Sequence, residues 1–401
     1  MSSTGEATTG LKVAVTGATG EIGRPFVRHL EKTPGVGSIL AMARRPIAPS
    51  EHGWTRTEFV QGDVTNPDDV AKLVDGADVV VHLAFLILGD RRSTRVTNLE
   101  GSRSVFEAAV AAGCRRIVYT SSAAAYGFHA DHPSRLTEET PPAGTEHFYY
   151  SAQKVELEAA LETAAEGTGT ETFIFRPPSV GGPGAHAWLQ ILPYVQMAER
   201  LPASWPLNWL PQTARILPDF GVPLQLVHVE DVAAALCAGV VGAGRPGVYN
   251  LAAPGQLTMA DIAHALGWRT VRLPRAVIGA AAGVQRRVPA APALSDWVQA
   301  LSARSSCRRK RPSVNSGGAL HATPRRPCAR QSPAPVRRGS RDSVERRPAG
   351  VGAGVSPDRL PKVSTDGLTQ DRDSIRRLIE IPLTAHRRFF RFRCPAHGDV
   401  S

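Results

Sequence analysis

Tyr150-Ser-Ala-Gln-Lys154 places a phenol and an ammonium four residues apart. On a helix that spacing puts both on one face. A free tyrosine titrates near ~10, so a neighbouring cation must lower it before the phenolate can serve as a base near neutrality. Upstream, Thr120-Ser121-Ser122 closes a β-branched run. A hydroxyl at the C-terminal end of a parallel strand faces the ligand crevice, where it can hydrogen-bond a carbonyl or alcohol and orient it. The plainer use of Ser122 is as a helix N-cap. Tyr149 is read as a packing residue beside Tyr150. The chain has no G-x-S-x-G, so a serine-hydrolase elbow is not indicated.

A second constellation lies near the N-terminus. In Thr16-Gly-Ala-Thr-Gly-Glu-Ile-Gly23, the glycines Gly17, Gly20 and Gly23 join a strand-like run to a helix-like one. Glycine permits the tight turn and lets backbone amides approach a pyrophosphate at a helix N-terminus. Residues Gly17, Thr19, Gly20, Glu21, Ile22 and Gly23 therefore form the candidate dinucleotide turn. The next strand ends in Ala43-Arg44-Arg45. An acidic residue there would hold the ribose 2′-hydroxyl of NAD, whereas an arginine accommodates the 2′-phosphate of NADP. The expected cofactor is NAD(P), with NADP favoured by Arg44. Asp63, in Gly62-Asp63-Val64, is placed to meet the adenine amino group or to serve as a plain turn aspartate.

These residues need a scaffold, and the pattern supplies one. Leu11–Thr16, 38–43, 58–61, 78–84, 116–120 and 172–175 are strand-like. They alternate with helix-like runs at 22–32, after Asn66-Pro-Asp-Asp, at 93–112 and at 148–165. Continuous apolar strands alternating with helices predict a parallel sheet covered on both faces. After Gly181 the alternation weakens and tryptophans accumulate (Trp188, Trp205, Trp209), with strand-like pieces returning at 224–228 and 247–251. That change predicts a smaller lobe interleaved with the end of the sheet.

The net charge of +11 over 401 residues suggests a polyanion partner until its distribution is read. Residues 304–401 carry 22 basic and 8 acidic residues, whereas residues 1–303 are mildly acidic. Nucleic acid is therefore not expected to bind the folded body. The basic segment is rich in Arg, Pro, Ser, Gly and Ala and reads as disordered. Its alternative use is a basic arm for nucleic acid or anionic lipid, but its basic clusters lack a helical face and stacking aromatics are nearly absent. Five scattered cysteines exclude a disulfide scaffold and show no metal-ligand spacing, so no metal is expected and the cytoplasm is the expected compartment. The N-terminus shows no signal-peptide core, and no apolar run reaches the ~20 residues a membrane span needs.

The motifs together resemble the extended short-chain dehydrogenase/reductases of the NAD-dependent epimerase/dehydratase family. The matching pieces are Thr16–Gly23, Gly62–Val64, His82–Ala84, Asn98–Gly101, Tyr119–Ser122, Ala125–Gly127, Tyr150–Lys154, Arg176–Val180 and Val227–Val232. The resemblance implies a Rossmann-type α/β fold, a doubly wound parallel sheet with a smaller C-terminal substrate lobe. Its divisions would be a dinucleotide-binding domain at 1–180, a substrate lobe at 181–303 and the disordered basic tail at 304–401. It implies Ser122, Tyr150 and Lys154 as the catalytic set, with hydride and proton exchange at a hydroxyl or carbonyl of a small-molecule substrate. Leu83, Ala84, Val64, Pro177 and Val180 would flank the cofactor, Asp231 would buttress the later part of the sheet, and His82 would be a packed strand residue. A homodimer is the implied assembly. Net oxidation or reduction, epimerisation and dehydration all use the same triad, and a non-catalytic NADP-sensing protein on this fold is the competing class. Arg44 departs from the aspartate usual in the NAD-using sugar epimerases.

The resembled family often closes on V-L-M-D-x-x-K-A-x-x-x-L-G-W. Codons for residues 304–318, read from the third base of the Arg304 codon, permit Val-Leu-Met-Ser-Thr-Lys-Ala-Thr-Lys-Arg-Glu-Leu-Gly-Trp. The expectation is a frameshift near residues 302–305. A stop codon in the other frame just after Arg304 would overturn it.

Overall fold

A computed structural model describes residues 10–87, 94–129, 131–133, 136–145, 148–185, 216–219, 223–253, 255–266 and 268–272. The Trp-rich segment 188–212, residues 273–303 and the basic tail lie outside the described residues. In chain order the elements are β1 (Leu11–Thr16), α1 (Gly23–Leu30), β2 (Val36–Ala43), β3 (Thr57–Gln61), α2 (Pro67–Val74) and β4 (Val79–His82). Then come α3 (Gly101–Ala111), β5 (Arg116–Thr120), α4 (Tyr149–Ala165), β6 (Glu171–Arg176) and β7 (Ser179–Gly181). The last are β8 (Ile216–Asp219), β9 (Leu226–His228), α5 (Val229–Val240), β10 (Gly247–Asn250), α6 (Met259–Leu266) and β11 (Arg269–Arg272).

Seven strands form one parallel sheet in the order β3-β2-β1-β4-β5-β6-β10. Alternation along β1 divides the core. Val13 and Val15 join a cluster with Phe26, Val27 and Leu30 of α1 and Val232 and Leu236 of α5. Ala14 joins the opposite cluster, with Leu73 of α2, Phe106 of α3 and Leu157 and Leu161 of α4. Both faces are therefore covered, which is why β4 and β5 are buried along their whole length. The chain order reverses direction between β1 and β4, the switch point where a parallel sheet opens a ligand crevice at its strand C-termini.

Local signals start the helices where they are needed. Asn66 caps α2, its Oδ1 accepting from the Asp68 amide at 3.0 Å, with Pro67 at the first position. Before α3 the chain makes a wider π turn at Val96–Glu100, which carries the fully buried Asn98. The 247–251 run does return to the main sheet, as β10 beside β6. The 224–228 run does not: β9 pairs with β7 in a separate two-stranded sheet, because β10 already occupies the edge of β6.

Candidate active site

The glycine turn lies at the switch point, and its geometry requires glycine. Gly17 has φ +69°, and a Cβ there would sit 2.6 Å from the Ala84 amide nitrogen. A Cβ on Gly23 would sit 2.3 Å from the Gly17 carbonyl oxygen. The turn is thus pressed against the end of β4 and runs straight into α1. The Gly17 amide donates to the Met42 carbonyl at 3.2 Å, which brings the turn beside the end of β2. Arg44 lies just past that end and is exposed. Its carbonyl accepts from Gln61 Nε2 at 3.0 Å, so its backbone is fixed while its guanidinium faces solvent. A backbone cradle closed to any Cβ, at the N-terminus of a helix, fits the pyrophosphate of a dinucleotide.

The flanking residues divide by role. Thr19 offers its carbonyl to Arg24 Nε at 2.9 Å, and Ile22 packs on the core. Asp63 Oδ1 accepts from both the amide and the hydroxyl of Thr65, each at 2.9 Å, which is the turn use of this residue. The Val64 side chain is buried against Gly101. Leu83 donates its amide to the Thr16 carbonyl at 3.2 Å. Pro177 accepts from the Ala123 amide at 2.8 Å, and Val180 packs beneath it in β7. Asp231 lies exposed in the first turn of α5.

His82 closes the end of β4. Thr16 Oγ1 lies 3.3 Å from the amides of Leu83 and Ala84 and 2.8 Å from His82 Nδ1, while His82 Nε2 lies 2.8 Å from Ser102 Oγ. An oxygen accepting two amides gives its own proton to Nδ1, and Nε2–H then donates to Ser102. Burial, with the Lys154 charge nearby, lowers the His82 pKa to about 3. His82 is a neutral structural latch, as its strand position suggested.

Ser122, Tyr150 and Lys154 converge at the end of β5. Ser122 caps the turn at Ala123–Tyr126, Oγ accepting from the Ala124 amide at 3.1 Å, and it also hydrogen-bonds the Tyr150 phenol. The cap bond therefore does not preclude the bond to Tyr150. Burial raises the Tyr150 pKa, and the Ser122 bond works the other way. Lys154 is 2% exposed, and its Nζ donates to the Thr120 carbonyl at 2.9 Å and the Tyr119 hydroxyl at 3.2 Å. Burial lowers its pKa to about 7, against the attraction of Glu158, which raises it. Tyr149 is a latch: its hydroxyl donates to the Ile87 carbonyl.

Glu158, Tyr119, Phe85 and Phe148 were given no role in the sequence reading. Glu158 lies one turn beyond Lys154, accepts from Ser121 Oγ at 2.6 Å and pairs with Arg176. Its spacing of four from Lys154 is a visible signal. Tyr119 receives the Lys154 ammonium. Phe85 stands with its ring edge-on to Tyr150, centroids 5.5 Å apart. The Phe148 ring centroid lies 5.8 Å from that of Tyr150 and 5.7 Å from that of Phe128, so the Tyr150 phenol has an aromatic wall. Among the described residues no cluster of ligating side chains could hold a metal, and no helix is long and apolar enough to cross a membrane.

A profile of the NAD dependent epimerase/dehydratase family matches residues 13–252, which is more than half of the chain. The chain belongs to that family. Among curated members, it is 34% identical to the ceramide reductase of Caulobacter vibrioides over 229 residues, 56% of this chain and 60% of that protein. It is 33% identical to human 3 beta-hydroxysteroid dehydrogenase type 7 over 185 residues, 42% and 50% of the two chains. It is 31% identical to the 2-alkyl-3-oxoalkanoate reductase of Shewanella oneidensis over 178 residues, 42% and 44%. The chain thus spans about half the length of these epimerase/dehydratase relatives. The fold is shared with the UDP-glucuronic acid 4-epimerase from Bacillus cereus in complex with NAD, at 19% identity, coverage of 65% and 87%, and a TM-score of 0.53.

Proposed function

We propose that the protein is an NADP-preferring oxidoreductase that interconverts a secondary hydroxyl and a carbonyl on an apolar small molecule. The observation that carries this is the Ser122–Tyr150 hydrogen bond at the C-terminal end of β5, one helical turn from Lys154. Bound along the glycine turn, the nicotinamide group would supply or accept the hydride. The chain's own residues handle the proton and the oxygen. Because burial keeps the Tyr150 phenol protonated, it is set to donate to a carbonyl oxygen, the direction of reduction. Ser122, fixed by its cap bond, is placed to orient that oxygen. Lys154, half-charged near its pKa of about 7, supplies positive potential beneath the phenol.

Two features favour an apolar substrate over a sugar nucleotide. The wall around Tyr150 is built from Phe85, Phe128 and Phe148. The curated relatives reported above are named as a ceramide reductase, a hydroxysteroid dehydrogenase and an oxoalkanoate reductase. Residues 1–180 would carry the dinucleotide and 181–303 the substrate specificity. The test is NADPH and NADH consumption across long-chain ketones, steroid ketones and sugar nucleotides. Tyr150→Phe is expected to lower kcat at least ~10²-fold with little change in dinucleotide affinity. Full turnover in that variant would overturn the role given to Tyr150, and dinucleotide binding by wild type with no turnover of any of these compounds would favour the NADP-sensing reading.

A further inference from the structure

The Lys154 ammonium has three hydrogens, and two are committed to Tyr119 and Thr120. The same ammonium lies over the Phe85 ring, Nζ 3.7 Å from its centroid. A cation this close to an aromatic face is attracted by the ring quadrupole, most strongly where water is excluded. Phe85 does not reach this place on a free loop. The next residue, Leu86, is gripped through both backbone groups by Asn98, amide to Oδ1 at 2.8 Å and carbonyl from Nδ2 at 3.0 Å. Asn98 Nδ2 also donates to Gln153 Oε1 of α4 at 2.8 Å. Tyr149, at the start of α4, holds the Ile87 carbonyl. The loop is thus fastened twice to the helix that carries Tyr150 and Lys154.

We propose that Phe85 is a positioning residue for Lys154: clamped to α4 through Asn98 and Tyr149, its ring covers the ammonium, excludes water from it and favours its charged form. The proposal deepens the catalytic reading above and rests on it for its relevance to turnover. The titratable and charged groups facing Lys154 are Tyr119 from β5, His82 from β4, Tyr150 and Glu158 from its own helix, and Arg176 from β6 through Glu158. Phe85 bears no titratable group and no hydrogen-bonding atom, so it can be changed without removing a proton site or a hydrogen bond of the ammonium.

The test reads Lys154 directly by NMR in lysine-labelled protein without dinucleotide or substrate, the resonance assigned with Lys154→Arg. In wild type the methylene protons next to Nζ, lying beside the ring, are expected upfield of those of other lysines. Phe85→Leu and Phe85→Met keep an apolar filling but remove the quadrupole, so the titration midpoint is expected to fall by about one unit. Phe85→Tyr is expected to restore it. The alkaline limb of the pH–rate profile should move with the midpoint. Wild-type protons at ordinary lysine positions, or an unmoved midpoint in a folded Leu or Met variant, overturn the proposal. These readings need no turnover, so a catalytic reading refuted by Tyr150→Phe would leave them standing, and the reverse holds too.

Discussion

Glu158 and Arg176 form an ion pair sealed inside the protein, their side chains 1% and 0% exposed. Glu158 takes Arg176 Nε at 2.8 Å and Ser121 Oγ at 2.6 Å on the same oxygen. The Arg176 guanidinium also lies 4.5 Å from the centroid of the Tyr126 ring. Burial works against the charge on Arg176, but hydrogen bonding and attraction from Glu158 outweigh it and hold the group charged. The pair ties α4 to β6 and, through Ser121, to the residue next to Ser122. Removing one partner strands the other as a buried charge, which costs about 3–5 kcal/mol. Glu158→Gln is expected to lower the unfolding free energy by that order. The double variant Glu158→Met/Arg176→Met should lose much less, since an apolar pair leaves no charge stranded. Denaturant unfolding of the three proteins checks this. Equal losses in the single and double variants would refute it.

How much of this was legible depended on whether the constraint was local. The glycine turn was readable because a positive φ at Gly17 and close contact at Gly23 can be met by no other residue type. Tyr150 and Lys154 were readable because one helix sets their spacing. Glu158 continues the same stripe, yet a carboxylate on a helix ordinarily marks a solvated face, and only the distant Arg176 makes its burial tolerable. Phe85 gave no signal, since its place above Lys154 depends on contacts with Asn98 and Tyr149 far along the chain. The run at 224–228 was legible as a strand, but apolar pattern does not name a partner, and its pairing with β7 rather than the main sheet was not visible.

His82 makes the protein's stability depend on acid. Its folded pKa is depressed to about 3, whereas an unfolded histidine titrates near 6.5. Above about pH 6.5 neither state binds the proton and the latch is fully effective. Between about 6.5 and 3 the unfolded state takes the proton and the folded state does not. Stability therefore falls as pH falls, by up to about 1.4 kcal/mol per unit from this one group. His82→Gln is expected to be less stable at pH 7.5, because the bonds to Thr16 and Ser102 are disturbed, but to lose less on going to pH 5. Thermal unfolding of both proteins at the two pH values checks this, and parallel losses would refute it.

The proposed NADP preference rests on Arg44. This residue is exposed at the end of β2, beside the glycine turn. A guanidinium there offers charge-assisted hydrogen bonds to a 2′-phosphate, each worth about 1.5–3 kcal/mol, or roughly 10- to 100-fold in affinity. Arg44→Asp removes those donors and adds a carboxylate that repels the phosphate and accepts from a 2′-hydroxyl. The variant is expected to bind NADPH at least ~10-fold more weakly and NADH no worse or better. Because the residue is exposed, the melting temperature of the variant should match wild type. Fluorescence titration with both dinucleotides measures the two affinities independently of any substrate. Unchanged NADPH affinity would place the 2′-phosphate elsewhere and remove the argument for NADP.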